Sequence, residues 1–125
     1  MSVPDPRINR ADVLRVVAFL ERCRGEDTAV PASEIARELA LNDTPGHPLT
    51  RALITEALRE GLAPIGATGA GYFTLRDQGE LDRYCSDLNR RAQAILARAA
   101  NVARAWEVRH GHAVLGWTPE PEEIP

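Results

Sequence analysis

The chain has 125 residues, of which 44% are apolar and 26% charged, and its formal net charge is −3. This balance predicts one soluble domain of ordinary size. No apolar run approaches the roughly 18 residues of a membrane span, and no charged leader precedes an apolar stretch. Cys23 and Cys85 are too few for a disulfide scaffold or a four-ligand zinc site, so a reduced, cytoplasmic protein is expected. All fifteen cations are Arg. Residues 1–46 carry a net −2, residues 47–104 a net +2 and residues 105–125 a net −3. Recognition of nucleic acid by bulk charge requires a basic domain. Here any such role must rest on local pattern.

Residues 1–9 hold Pro4 and Pro6 and read as an arm. A first helix is predicted from Arg10 to Cys23, capped by Asn9, with Asp12 in its first turn. Val13, Val17 and Leu20 share one face, Leu14 and Phe19 lie beside it, and Gly25 ends it. Residues 28–30 form a short edge strand. A second helix follows from Ala32 to Leu41, with Ile35, Ala36, Leu39 and Ala40 as its apolar stripe. Residues 42–48 are a turn rich in Asn, Asp, Gly and Pro.

The third helix is predicted from Leu49 to Glu60. Leu49, Leu53, Ile54, Ala57 and Leu58 face inward; Thr50, Arg51, Thr55, Glu56 and Arg59 face out. Gly61 serves as a left-handed stop. Residues 62–65 and 72–75 are two β-prone runs around the Gly-rich segment 66–71, which reads as a hairpin. The last helix begins near Gln78, behind an Asp77/Glu80 capping box, and continues to about Val108. Leu81, Cys85, Leu88, Ala92, Ile95, Ala99, Val102 and Trp106 alternate by four and three, a heptad seam. Residues 110–125 form an acidic tail with Pro119, Pro121 and Pro125. The expected fold is thus mainly α with a small β-hairpin, divided into an arm (1–9), a domain (10–76), a long coiled-coil-like helix (77–109) and a tail (110–125).

The stretches ASEIARELAL and LTRALITEALREGLAPIGATGAGYFTL resemble the winged helix-turn-helix domains of the biotin-operon-repressor type. More narrowly, they look like small bacteriophage and prophage winged-helix proteins. Ile35, Ala36 and Leu39 match the family's second helix. Arg51, Ile54, Leu58, Arg59 and Gly61 match its third, and Pro64, Ile65, Gly66, Gly71 and Tyr72 match its wing. This resemblance implies a DNA-binding regulator, with the third helix in the major groove and the hairpin beside the backbone. Two features depart from the pattern. The turn carries an extra Pro-Gly-His-Pro, and the wing tip has no cation.

Arg51 is then expected at a guanine edge or phosphate, Thr50 and Thr55 at phosphate or a thymine methyl, and Arg59 at backbone. Thr68 at the wing tip and Arg76 at its base are further phosphate contacts. Thr50 has a plainer reading as a helix-start residue, and the three Arg as surface salt-bridge partners. Leu88, Ala92, Ile95, Ala99, Val102 and Trp106 are expected to pair two copies as a homodimer, setting two recognition helices against half-sites ~34 Å apart. The first part of the seam, through Leu81, Tyr84 and Leu88, can instead pack on its own domain. The competing function is a protein-interaction module that binds a partner through the long helix.

The remaining signals carry no chemistry. Residues 66–71 lack the Gly-Lys-Ser/Thr ending of a phosphate loop and precede a strand. His110 and His112 have no third ligand nearby in sequence. Cys23 and Cys85 fit buried small apolar positions, and Ser33 and Ser86 lack partners for nucleophilic catalysis. The expectation is a protein without enzymatic activity, metal or cofactor, whose ligands are duplex DNA, itself, or a protein partner.

Overall fold

Asn9 halts the backbone in an extended conformation, and its side-chain oxygen accepts the Asp12 N–H at 2.8 Å, starting α1 (Arg10–Leu20). The computed structural model describes residues 7–111; residues 1–6 of the expected arm and 112–125 of the expected tail lie outside them. After α1 come a single 3-10 turn (Glu26–Thr28), α2 (Ala32–Glu38), α3 (Pro48–Arg59), strands β1 (Ile65–Thr68) and β2 (Gly71–Thr74), and α4 (Gln78–His110). The described residues are mainly helical, with one antiparallel hairpin and a long C-terminal helix. It divides into two units, residues 1–81 and 82–125.

α1 ends three residues before its predicted limit. The Cys23 carbonyl accepts from Thr74 N at 2.8 Å, and the Gly25 N–H donates to the Thr74 carbonyl at 2.9 Å. Residues 23–25 are therefore committed to the edge of β2 and cannot close another helical turn. The buried face of α1 is Val13, Val16 and Leu20; Val17 is only half-buried.

α2 also stops early. Ala40 adopts φ 52°, Leu41 N donates to the Ala36 carbonyl at 2.9 Å, and Ala40 N to the Arg37 carbonyl at 3.2 Å. These two bonds make a Schellman stop, built here on alanine rather than glycine. α3 ends in the same way on Gly61 at φ 69°, with Leu62 N donating to the Ala57 carbonyl at 3.0 Å. The left-handed stop expected at Gly61 is present.

α3 packs on α1 and α2. Its inner face is Leu49, Thr50, Leu53, Ile54 and Ala57, all buried. Leu58, expected inside, is 46% exposed. Ala63, Ile65, Phe73 and Leu75 of the hairpin segment are buried as well.

The hairpin pairs Ile65 with Thr74 and Thr68 with Gly71, leaving the two-residue turn Gly69–Ala70. It is tighter than the six-residue turn predicted, because residues 66–68 are in β1. The Phe73 ring occupies the space a Cβ on Gly66 would need, at 2.8 Å. The expected edge strand shrinks to Val30, which exchanges two 2.8 Å backbone bonds with Tyr72. At this crossing Gly71 has φ 131°, and a Cβ there would stand 2.2 Å from the Val30 carbonyl.

The capping box at α4 forms in part. Glu80 N donates to Asp77 Oδ1 at 2.8 Å. The Glu80 carboxylate instead reaches past Asp77 and accepts Arg76 N at 2.8 Å and Glu26 N at 3.1 Å, and so sits buried. Donation from Arg76 and Glu26, against the burial that opposes it, holds this carboxyl below its usual range. α4 has 33 residues, about 50 Å at 1.5 Å per residue. No helix among the described residues is long and apolar enough to cross a membrane.

Two substitutions test these backbone assignments by thermal or urea unfolding. Gly71→Ala is expected to destabilise by about 2 kcal/mol or more, because strain and a backbone clash add. Ala40→Gly is expected to stabilise by about 0.5–1 kcal/mol, because it removes the left-handed penalty at a solvent-exposed stop.

Candidate functional site

Buried Leu53 and Ala57 turn the opposite side of α3 to solvent. Arg51, Thr55 and Arg59 occupy that side at i, i+4 and i+8, a stripe about 12 Å long. All three are exposed. Arg51 makes no ion pair and no side-chain hydrogen bond among the described residues. The Thr55 hydroxyl donates back to the Arg51 carbonyl at 3.0 Å.

Arg59 is held by Glu56 on the same helix, through Nε at 3.0 Å and through a second, shorter bond. That bonding lowers the Glu56 carboxyl and raises the Arg59 guanidinium. Glu60, the last acid on this helix end, accepts from Arg10 of α1 at 2.6 Å. Such exposed pairs contribute little to stability, from nothing to about 1 kcal/mol. They do decide the local charge: among the described residues, Arg51 is the α3 cation that no acid engages. Leu58, on the same side, adds an apolar surface that the helical period placed inside.

Thr50 is corrected. It has no exposed surface, and its hydroxyl donates to Asp43 Oδ2 at 2.7 Å. It is a helix-start residue and cannot meet an external ligand. The reason is the cap. His47 precedes Pro48 in a left-handed conformation, with no side-chain capping bond of its own. Asp43 supplies the cap from upstream, accepting Leu49 N at 3.1 Å and Thr50 N at 2.8 Å. Sequence reading missed this residue, although an acid shortly before a Pro-initiated helix was its available signal.

The two hairpin residues are engaged within their own segment. Thr68 is half-buried at the tip, and its hydroxyl accepts Ala70 N at 3.2 Å, closing the turn. Arg76 lies beyond the other end, exposed, 3.6 Å from Asp77. The plainer readings of Arg59 and Arg76 as surface pairs therefore describe their contacts.

The second feature is the seam on α4. Leu88, Ile95, Val102 and Trp106 are 43%, 68%, 63% and 47% exposed. Ala92 is exposed and Ala99 half-buried. Trp106 stacks on His110 with ring centroids 3.8 Å apart. Cys85, expected to be buried, is exposed on this seam. Cys23 is half-buried, its thiol 3.7 Å from the Phe19 carbonyl, and burial pushes it up. No cluster of three His, Cys, Asp or Glu among the described residues could hold a metal ion.

Comparison with protein-family models, curated proteins and solved structures finds no match to this chain.

Asp43 also sets a pH dependence. Burial raises its carboxyl, but the Thr50 N–H and hydroxyl, the Leu49 N–H and the Thr44 N–H outweigh that and hold it at about 2, against 3.8. A depressed carboxyl stabilises the fold above the unfolded value and ceases to do so as pH falls through the folded one. Stability is expected to drop between about pH 4 and pH 2, by up to about 2 kcal/mol from this group. Asp43→Ala should lose about 2–3 kcal/mol at pH 7 and flatten that drop, measured by urea unfolding across pH.

Proposed function

We propose that the chain binds duplex DNA without catalysing a reaction, inserting the outer stripe of α3 into the major groove. The observation that carries this reading is Arg51. It is an exposed guanidinium without an acidic partner among the described residues, near the start of a helix whose other side is buried. A bidentate Arg contact to guanine contributes about 1–3 kcal/mol of discrimination. The order of three helices and a hairpin, with Val30 paired to the second strand, agrees with the winged helix-turn-helix that the sequence resembles. That resemblance also suggests a regulator in a phage or bacterial setting.

The charges set the expected strength. With Arg59 engaged by Glu56, Arg76 beside Asp77 and no cation at the wing tip, few phosphates are neutralised. One cationic contact per protomer gives a slope of log K against log salt of about −1 per protomer. Binding should therefore be weak on random sequence, and the base contact should decide the site.

A second reading, a protein-binding surface, is favoured by the same ion pairs. Glu56 and Glu60 neutralise much of the α3 end, and exposed Leu58 lies two turns along from Arg51 on the same side. Fluorescence anisotropy with duplex DNA across salt separates the two. DNA binding predicts that Arg51→Ala weakens affinity by about tenfold or more, and that Glu56→Gln, which frees Arg59, tightens it and steepens the salt slope by about 1 per protomer. No anisotropy change at low salt with folded wild-type protein would overturn DNA as the ligand and leave the protein-binding reading.

A further inference from the structure

The seam on α4 has an order of sizes as well as a period. Assigning Leu81, Leu88, Ile95 and Val102 to heptad position d puts Cys85, Ala92, Ala99 and Trp106 at a. Large residues thus stand at d throughout, and three of the four a positions are small. A parallel, in-register pair stacks a on a and d on d. Its layers would alternate between two alanines and two large aliphatic side chains. One spacing of two helices cannot close both kinds of layer, and the alanine layers would be left void. Parallel two-stranded coils also favour β-branched residues at a, which this chain does not have there.

An antiparallel pair sets a against d. Ile95 then faces Ala92, Leu88 faces Ala99, and Val102 faces Cys85, so these layers each hold one large and one small side chain. The outermost layer joins Leu81 to Trp106. The match works in both directions about one point, between Gln93 and Ala94. A two-fold interface requires that property: residue i meets j while j meets i. An unrelated partner helix would not require it.

Charge points the same way. Residues 78–93 hold three Arg and three acids, whereas residues 94–110 hold three Arg and one acid. A parallel pair stacks the two basic halves on each other. An antiparallel pair sets each basic half against a neutral one, in which Asp87 already engages Arg91. The helix dipoles also oppose in that arrangement.

We propose that α4 pairs with α4 of a second copy, antiparallel, about a two-fold axis between Gln93 and Ala94. The pairing stands on the seam alone and is independent of DNA binding.

The native thiol on the seam provides the test. In the antiparallel pair the two Cys85 residues lie about 25 Å apart along the axis, and each faces Val102 of the other copy. In a parallel pair they face each other, within disulfide reach. The full-length chain carrying Cys23→Ala should sediment as a dimer and give no covalent dimer with oxidised glutathione. Adding Val102→Cys should give one. A covalent dimer through Cys85 alone, a monomer in sedimentation, or a dimer that Val102→Cys fails to link would each overturn the proposal. Ala92→Ile in the otherwise native chain tests it without thiols. Two large side chains then meet in each central layer, and self-association should weaken by about tenfold or more; tightening would indicate a parallel pair and overturn it.

Discussion

Leu53 and Ala57 have no exposed surface in the packing of α3 on α1 and α2, and this burial fixes the rotation of α3 about its own axis. Once those two residues are inside, Arg51, Thr55 and Arg59 are outside, because helical neighbours four residues apart share a side. Removing a buried leucine from such a core costs about 2–5 kcal/mol. Any ion pair on the outer side is worth less than 1 kcal/mol. The core therefore decides which residues are presented, and the surface charges only tune what is presented.

Polar groups complete what packing alone leaves open. The four backbone N–H groups at a helix start need partners, and Pro48 removes only one of those donors. Asp43 serves two of the rest and takes the Thr50 hydroxyl as well. Glu80 joins the start of α4 to the 3-10 turn through Glu26 N. The Thr74 hydroxyl donates to the Leu20 carbonyl at 2.6 Å, tying β2 to the end of α1. Each is a buried or half-buried group with its bonds made, the condition under which burying polarity is tolerated.

The two surface features differ in kind. On α3, one guanidinium without a partner among the described residues stands beside side chains already engaged with each other, so the proposed contact there rests on geometry and hydrogen bonding more than on bulk attraction. On α4, the small excess of positive charge is confined to residues 94–110, while large apolar residues are exposed along the seam. These side chains are 43–68% exposed, so covering each contributes up to about 1–2 kcal/mol. The drive to cover that surface is accordingly much greater than any electrostatic drive on α3.

Local chemistry was legible in the sequence wherever one residue sufficed to produce a structure. Asn9 as a cap, Gly61 as a stop, the hairpin and the long heptad-bearing helix all follow from bonds within a few residues or from a repeat. Positions decided by distant partners were not legible. The end of α1 depends on Thr74, some fifty residues away, and the inward turn of Thr50 depends on Asp43 across a left-handed residue. Arg51 and Arg59 look alike in the sequence, yet Glu56 engages Arg59, while Arg51 has no partner among the described residues. By itself, then, the sequence determined where elements begin and which period they follow, because those are short-range properties of the backbone. Only the tertiary structure decided which polar side chains remain available, because a hydrogen bond made inside the fold withdraws a group from any ligand outside it.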